Sequence, residues 1–145
     1  MPSHENDPAP IPPALRQAFE ETHYTVHHEH PFTLRIGQPS PELDQVLRTT
    51  GHDSAAFVTA WTPMCQLLSV EDNHQRQQAL KDELQRRGLA WVPGIGQHPD
   101  NGWPGEESVL VLGIAEQAAR TLCAGFQQMA FVACKRGETP RLVIG

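Results

Sequence analysis

Between Val70 and Arg87 the residue spacing predicts one long helix whose inward stripe changes character along its length. Leu84, Leu80, Gln77, Arg76 and Asn73 recur at steps of three and four, so they share a face. That face is apolar toward Leu84 and polar toward Asn73. A helix packed on a sheet ordinarily keeps its inward stripe apolar, because a buried polar group without a partner costs about 1–3 kcal/mol. Asn73, Arg76 and Gln77 therefore either meet polar partners or line a cavity.

A chain of 145 residues suits one domain with one core. The first residues are polar and rich in proline, with nothing periodic to bury. Residues 1–11 are therefore expected to be a disordered N-terminal arm, and residues 12–145 a single mixed α/β domain. The formal net charge is −6, and the eleven Lys and Arg residues are spread along the chain, adjacent only at Arg86-Arg87 and Lys135-Arg136. No basic stripe is present to neutralise phosphates, so nucleic acid is not an expected partner. No apolar run reaches the roughly 18 residues that cross a bilayer, so no membrane association is expected. Cys65, Cys123 and Cys134 form no CxxC pair, which fits free thiols in a reducing, cytoplasmic setting.

Pro12 and Pro13 suit a first helical turn, and Leu15, Ala18 and Phe19 share a face, which predicts a short helix to about Glu21. Two alternating runs follow, Tyr24-Val26-His28 and Phe32-Leu34-Ile36, and read as a hairpin. Ser40-Pro41-Glu42 starts a helix that buries Leu43, Val46 and Leu47 and stops at Gly51. The run from Ala55 to Trp61 is apolar on both faces, as in a central strand covered on two sides. Ser69 and Asp72 form a capping pair for the long helix, which Gly88 ends. Leu89 to Val92 reads as a strand, 93–107 as a loop, and Val109 to Leu112 as a second strand. Ala115, Ala118, Ala119, Leu122, Cys123 and Phe126 mark another helix. Met129 to Cys134 and Arg141 to Ile144 read as a closing hairpin across Arg136-Gly137-Glu138. Strands alternating with helices predict a sheet with parallel pairs, made mixed by hairpins near both ends and flanked by helices.

Glu106 is the leading candidate for chemistry. The segment Gly102-Trp103-Pro104-Gly105-Glu106-Glu107-Ser108 runs into a buried strand and holds a carboxylate and a hydroxyl beside the sheet. Such a carboxylate either binds a ligand or acts as acid or base, with Arg76 keeping it ionised, or it tethers the loop through a salt bridge. Trp103 stacks on a ligand or plugs the loop onto the core. Thr59 and Trp61 share a strand face, with Thr62, Pro63 and Cys65 beyond its carboxyl end, where open parallel sheets bind ligands. A nucleophilic Cys65 would need a base beside it. Cys123 and Cys134 read as small buried hydrophobes. Gln128 either points its amide into the same cleft or caps a helix. His23, His27, His28 and His30 crowd one hairpin without the four fixed ligands of a structural zinc site, so no metal is assigned. Gly94-Ile95-Gly96 precedes no helix and satisfies no nucleotide fingerprint, so no cofactor is assigned.

The run from Ala56 to Pro63, then Glu71-Asp72-Asn73, then Gly102 to Ser108 leading into Leu110-Val111-Leu112-Gly113, and finally Phe126-Gln127-Gln128 resemble the bacterial domain of unknown function family 3293 (DUF3293). The likeness spans roughly residues 15 to 144. It implies a small stand-alone bacterial cytoplasmic protein and assigns no activity. Thr59, Pro63, Asn73, Glu106, Ser108 and Gln128 fit the family's pattern. Thr62-Pro63-Met64-Cys65 stands where the family tends to carry Asn-Pro-x-Ser. The expectation is a binding module whose polar cleft, formed by Thr59, Pro63, Asn73, Arg76, Trp103, Glu106, Ser108 and Gln128, takes a small polar molecule or a peptide. Two alternatives stand beside it. One is a hydrolase-like enzyme with Glu106 as general base. The other is an interaction domain in which these residues form a structural buried network.

Overall fold

A computed structural model describes residues 11–63 and 66–145. The expected N-terminal arm, apart from Ile11, lies outside the described residues, and so does Cys65. Four helices and seven strands follow in the order α1 (Pro13–Glu21), β1 (His23–Val26), β2 (Phe32–Leu34), α2 (Pro41–Thr50), β3 (Ser54–Val58), α3 (Val70–Arg86), β4 (Trp91–Gln97), β5 (Glu106–Leu112), α4 (Glu116–Gly125), β6 (Ala130–Lys135) and β7 (Arg141–Ile144).

The strands form one curled sheet in the order β2-β1-β4-β5-β3-β6-β7. Every neighbouring pair is antiparallel, which corrects the mixed parallel and antiparallel sheet expected from the alternation of strands and helices. The crossovers β3-α3-β4 and β5-α4-β6 do return the chain in its original direction. Each, however, skips one position, and a strand of the other unit fills the gap: β5 lies between β3 and β4, and β3 lies between β5 and β6. The central β-α-β-β-α-β segment is thus a split β-α-β pair of the ferredoxin-like kind. The β1-β2 hairpin extends it beyond β4, and β7 extends it beyond β6.

Both faces of the sheet are buried, which explains the uninterrupted apolar runs. Ala56 and Val58 of β3, Val109 and Val111 of β5, and Phe131 and Ala133 of β6 pack with α3 and α4 through Leu80, Leu84, Ala119 and Leu122. The alternate residues Ala55, Phe57, Leu110, Leu112, Val132 and Cys134 pack on the opposite face with Leu43, Val46 and Leu47 of α2. Local signals hold at the helix ends. Ser40 Oγ accepts from Leu43 N–H at 3.2 Å, and Ser69 Oγ accepts from Asp72 N–H at 3.1 Å. Gly51 caps α2 at φ 76°.

The segment expected to be a loop from residue 93 is instead the second half of β4, so the β4-β5 connection shrinks to residues 98–105. Pro93 is tolerated because its carbonyl accepts from His27 N–H at 2.8 Å. The amide hydrogen that proline lacks belongs on that same side, where β1 has already ended. Gly94 is required by close approach. A Cβ there would lie 2.5 Å from the Thr25 carbonyl oxygen and 2.9 Å from the Phe57 ring, whereas the nearest atom to a Cβ at Gly96 is 3.6 Å away. Gly94→Ala is expected to lower unfolding free energy by about 1–3 kcal/mol through overpacking, and Gly96→Ala by much less. Paired urea melts of the two variants check this contrast.

Candidate functional site

The polar end of the α3 stripe serves a backbone that has left the sheet. β3 makes its last pair at Val58, and residues 59–62 run on without a strand partner. Their peptide groups are met by side chains instead. Gln77 Oε1 accepts from Ala60 N–H at 3.0 Å, and Arg76 Nε donates to the Ala60 carbonyl at 2.8 Å. Thr59 Oγ1 accepts from Trp61 N–H at 3.0 Å, and Gln128 Nε2 donates to the Trp61 carbonyl at 3.0 Å. Asn73 Oδ1 accepts from Thr62 N–H at 3.0 Å. Arg76 also donates to the Phe126 carbonyl and, at 3.1 Å, to Gln127 Oε1. Asn73 and Gln77 are buried; these bonds engage the Asn73 amide and the Gln77 carbonyl oxygen, while Gln77 Nε2 is buried without a hydrogen-bond partner.

Thr62 is held at φ 50°, a region that a β-branched residue rarely adopts and that costs about 1–3 kcal/mol. The Asn73 bond to its amide pins it there. This strained turn stands at the rim of a cavity of about 190 Å³ at the end of the sheet.

The cavity follows from sheet register. Tyr24, Gly96 and Glu106 stand opposite one another across β1, β4 and β5, so their side-chain positions share a face. Gly96 contributes no side chain to that row and lines the cavity, with the Tyr24 ring and Thr22 3.6–3.8 Å from where its Cβ would stand. In the neighbouring row, Phe57 fills the space over Gly94 and meets Tyr24 edge to face, with centroids 5.3 Å apart. α1 closes one side with Leu15, Ala18 and Phe19, and Trp103, which is 43% exposed, stands at the rim. Two bonds tie α1 in place. Tyr24 Oη donates to the Phe19 carbonyl at 2.6 Å, and His98 Nε2 bonds Glu21 Oε1 at 2.8 Å. His98 Nδ1 accepts from the amides of Asp100 and Asn101, both at 3.0 Å, which leaves Nε2 as the donor to Glu21.

Of the residues singled out from sequence, Thr59, Trp103, Glu106, Ser108 and Gln128 converge on this cavity. Asn73, Arg76 and the buried Pro63 do not line it. Arg76 does not hold Glu106 ionised either, since its guanidinium is engaged with backbone carbonyls and Gln127. Burial pushes the Glu106 carboxyl above the usual carboxylate range, and the Thr62 side chain facing it offsets part of that. The loop-anchoring ion pair belongs to the next residue: Glu107 meets Lys81 at 2.9 Å and His74 at 3.1 Å. Burial raises the Glu107 carboxyl, but these partners outweigh it and hold it low. Tyr24, Thr62, His98 and the apolar face of α1 were not singled out as site residues. No local signal marks Thr62 or the place of Gly96 in the cavity, because both arise from register. Among the described residues no three His, Cys, Asp or Glu gather as a metal site, and no helix is long and apolar enough to cross a membrane.

Fold and site together define a small α/β domain of split β-α-β topology with a carboxyl-bearing cavity at the sheet's end. The chain belongs to the family described as Protein of unknown function (DUF3293), whose model matches residues 58–131. That match starts at the end of β3 and reaches into β6. It takes in the α3 bonding network and the β5 side of the cavity but not α1 or β1. No curated protein and no solved structure matches the chain.

Two outcomes follow for stability. Asn73→Leu restores an apolar stripe but orphans the Thr62 amide, and is expected to reduce unfolding free energy by about 1–3 kcal/mol; chemical denaturation against wild type measures it. Glu106 has its folded pKa raised above the unfolded value, so the native state binds its proton more tightly. Stability from this group is complete below the unfolded pKa and is lost as pH rises through the folded one. Glu106→Gln is accordingly expected to melt higher than wild type at neutral pH, with the gap closing as the buffer approaches pH 4, in a series of thermal melts.

Proposed function

We propose that this domain is a binding module that takes a small organic molecule in the cavity between α1 and the sheet. The observation that carries this reading is the cavity lined by Gly96 and Glu106, which places a desolvated carboxyl at the side of an otherwise largely apolar chamber. Concave, mostly apolar sites with a few convergent polar groups are the usual form of small-molecule pockets. A cavity of about 150 Å³ accommodates benzene, so about 190 Å³ suits a ligand of substituted-ring size rather than a peptide. The residues that would contact it are Thr59, Ser108, Gln128 and Glu106, with Trp103 at the rim.

A second reading, a hydrolase-like enzyme with Glu106 as general base, draws support from the same raised carboxyl in a cavity that opens to solvent. An interaction domain has less support. Among the described residues the large exposed apolar side chains are Leu67, Val70 and Trp103, short of the contiguous patch that a protein partner covers. We also place the protein in the bacterial cytoplasm, following the family resemblance and the buried free thiols of Cys123 and Cys134.

A fragment screen by protein-observed NMR tests the binding reading. Ring-sized hits are expected to shift the amides of Tyr24, Phe57 and Glu106. Gly96→Val, which grows a side chain into the cavity, is expected to abolish those shifts while the variant still melts cooperatively. Hits that survive Gly96→Val undiminished, or no hits at all, would refute it. Slow appearance of product signals would favour the enzyme.

A further inference from the structure

We infer that the cavity is built to take an organic cation, a primary amine carried on a ring or short apolar body, with its ammonium against Glu106. This rests on the reading of the cavity as a small-molecule site and names the chemistry of its ligand.

The argument is an inventory of donors. Tyr24 Oη donates to the Phe19 carbonyl at 2.6 Å, Thr22 Oγ1 to the Ala18 carbonyl at 2.7 Å, Thr59 Oγ1 to the Glu107 carbonyl at 2.7 Å, and Ser108 Oγ to the Glu106 carbonyl at 2.9 Å. Gln128 Nε2 donates to the carbonyls of Trp61, at 3.0 Å, and Phe126, at 3.3 Å, which engages both amide hydrogens. His98 gives its one ring hydrogen to Glu21. Thr62 faces Glu106 and favours its charged form. Away from the exposed rim at Asn101 and Trp103, the polar side chains lining the cavity have thus committed their hydrogens to the protein. What they still offer a ligand is oxygen lone pairs, foremost those of the Glu106 carboxyl. A ligand that brings donors and no acceptors completes such a site, and an ammonium group is three donors with no acceptor.

Charge and walls agree with this. Among the described residues no lysine or arginine lines the cavity, so a carboxylate there has no countercharge of its own. Phe19, Tyr24, Phe57 and Trp103 supply aromatic surface, which attracts cations through the ring faces. The chain's net charge of −6 favours cation approach at long range. The ionisable groups around Glu106 in the cavity are Tyr24 from β1 and His98 from the β4-β5 connection; β3, β6 and α1 present none to it. Burial raises the Tyr24 phenol, which stays neutral, and His98 faces Glu21. Glu106 is therefore the group whose charge a cation would read.

Calorimetric titration with benzylamine, benzyl alcohol and benzoate, three probes that share one ring, provides the test. Benzylamine is expected to bind about tenfold or more tightly than benzyl alcohol, with no measurable binding of benzoate. Its affinity is expected to rise with pH and level off once Glu106 is ionised in the free protein, because the ammonium favours the charged carboxylate. Glu106→Gln, confirmed as folded by its thermal melt, is expected to erase the preference for the amine and the pH dependence. Benzyl alcohol binding as tightly as the amine, or benzoate binding that weakens as pH rises, would overturn the cationic assignment and leave the small-molecule site standing. Binding of none of the three would overturn both.

Discussion

The chain must carry four residues, 59–62, out of its central strand and across the end of the sheet with no neighbouring strand to bond them. Buried peptide groups left unbonded each cost about 1–3 kcal/mol, so this exit is untenable unless side chains replace the missing strand. Gln77, Arg76 and Asn73 of α3, with Thr59 and Gln128, perform that replacement. The polar face of α3 is in effect a surrogate strand edge. Its presence fixes the position of Thr62, which faces Glu106. The cavity depends on the same scaffold, because its rim is the turn that these bonds hold in a strained conformation.

The elements themselves were readable one by one. Helix starts at Ser40 and Ser69, the stop at Gly51 and the closing hairpin all depend on chemistry within a few residues. Two features escaped that reading, and both are non-local. Alternation of strands with helices argues for adjacent parallel strands, whereas β5 lies between β3 and β4 and every pair is antiparallel, since nothing in a connection's length records a skipped position. The Pro93-Gly94-Ile95-Gly96 run has loop composition, yet it pairs on both sides within the sheet. Gly94 serves there to admit the Phe57 ring, a residue 37 positions earlier in the chain.

The site shows the same division. The polar residues noticed in sequence separate into two groups that local pattern alone could not distinguish. Asn73 and Arg76 turn toward backbone away from the cavity, whereas Thr59, Glu106, Ser108 and Gln128 reach it, and Thr59, Ser108 and Gln128 also bond its walls. The prominent polar stripe of α3 marks an unusual requirement, the bonding of a backbone that has left the sheet. Glu106 stands apart because its burial makes ionisation unfavourable. A residue retained against stability in this way is the common signature of a functional position.

The short helix α1 buries none of its residues completely, and two side-chain bonds, from Tyr24 and His98, moor it over the cavity. An element so lightly held belongs to the low-free-energy end of local unfolding. Its detachment would break no sheet pairing, and the seven strands can remain intact without it. Loosening of this one helix would therefore alter the wall of the cavity without touching the sheet that carries Glu106.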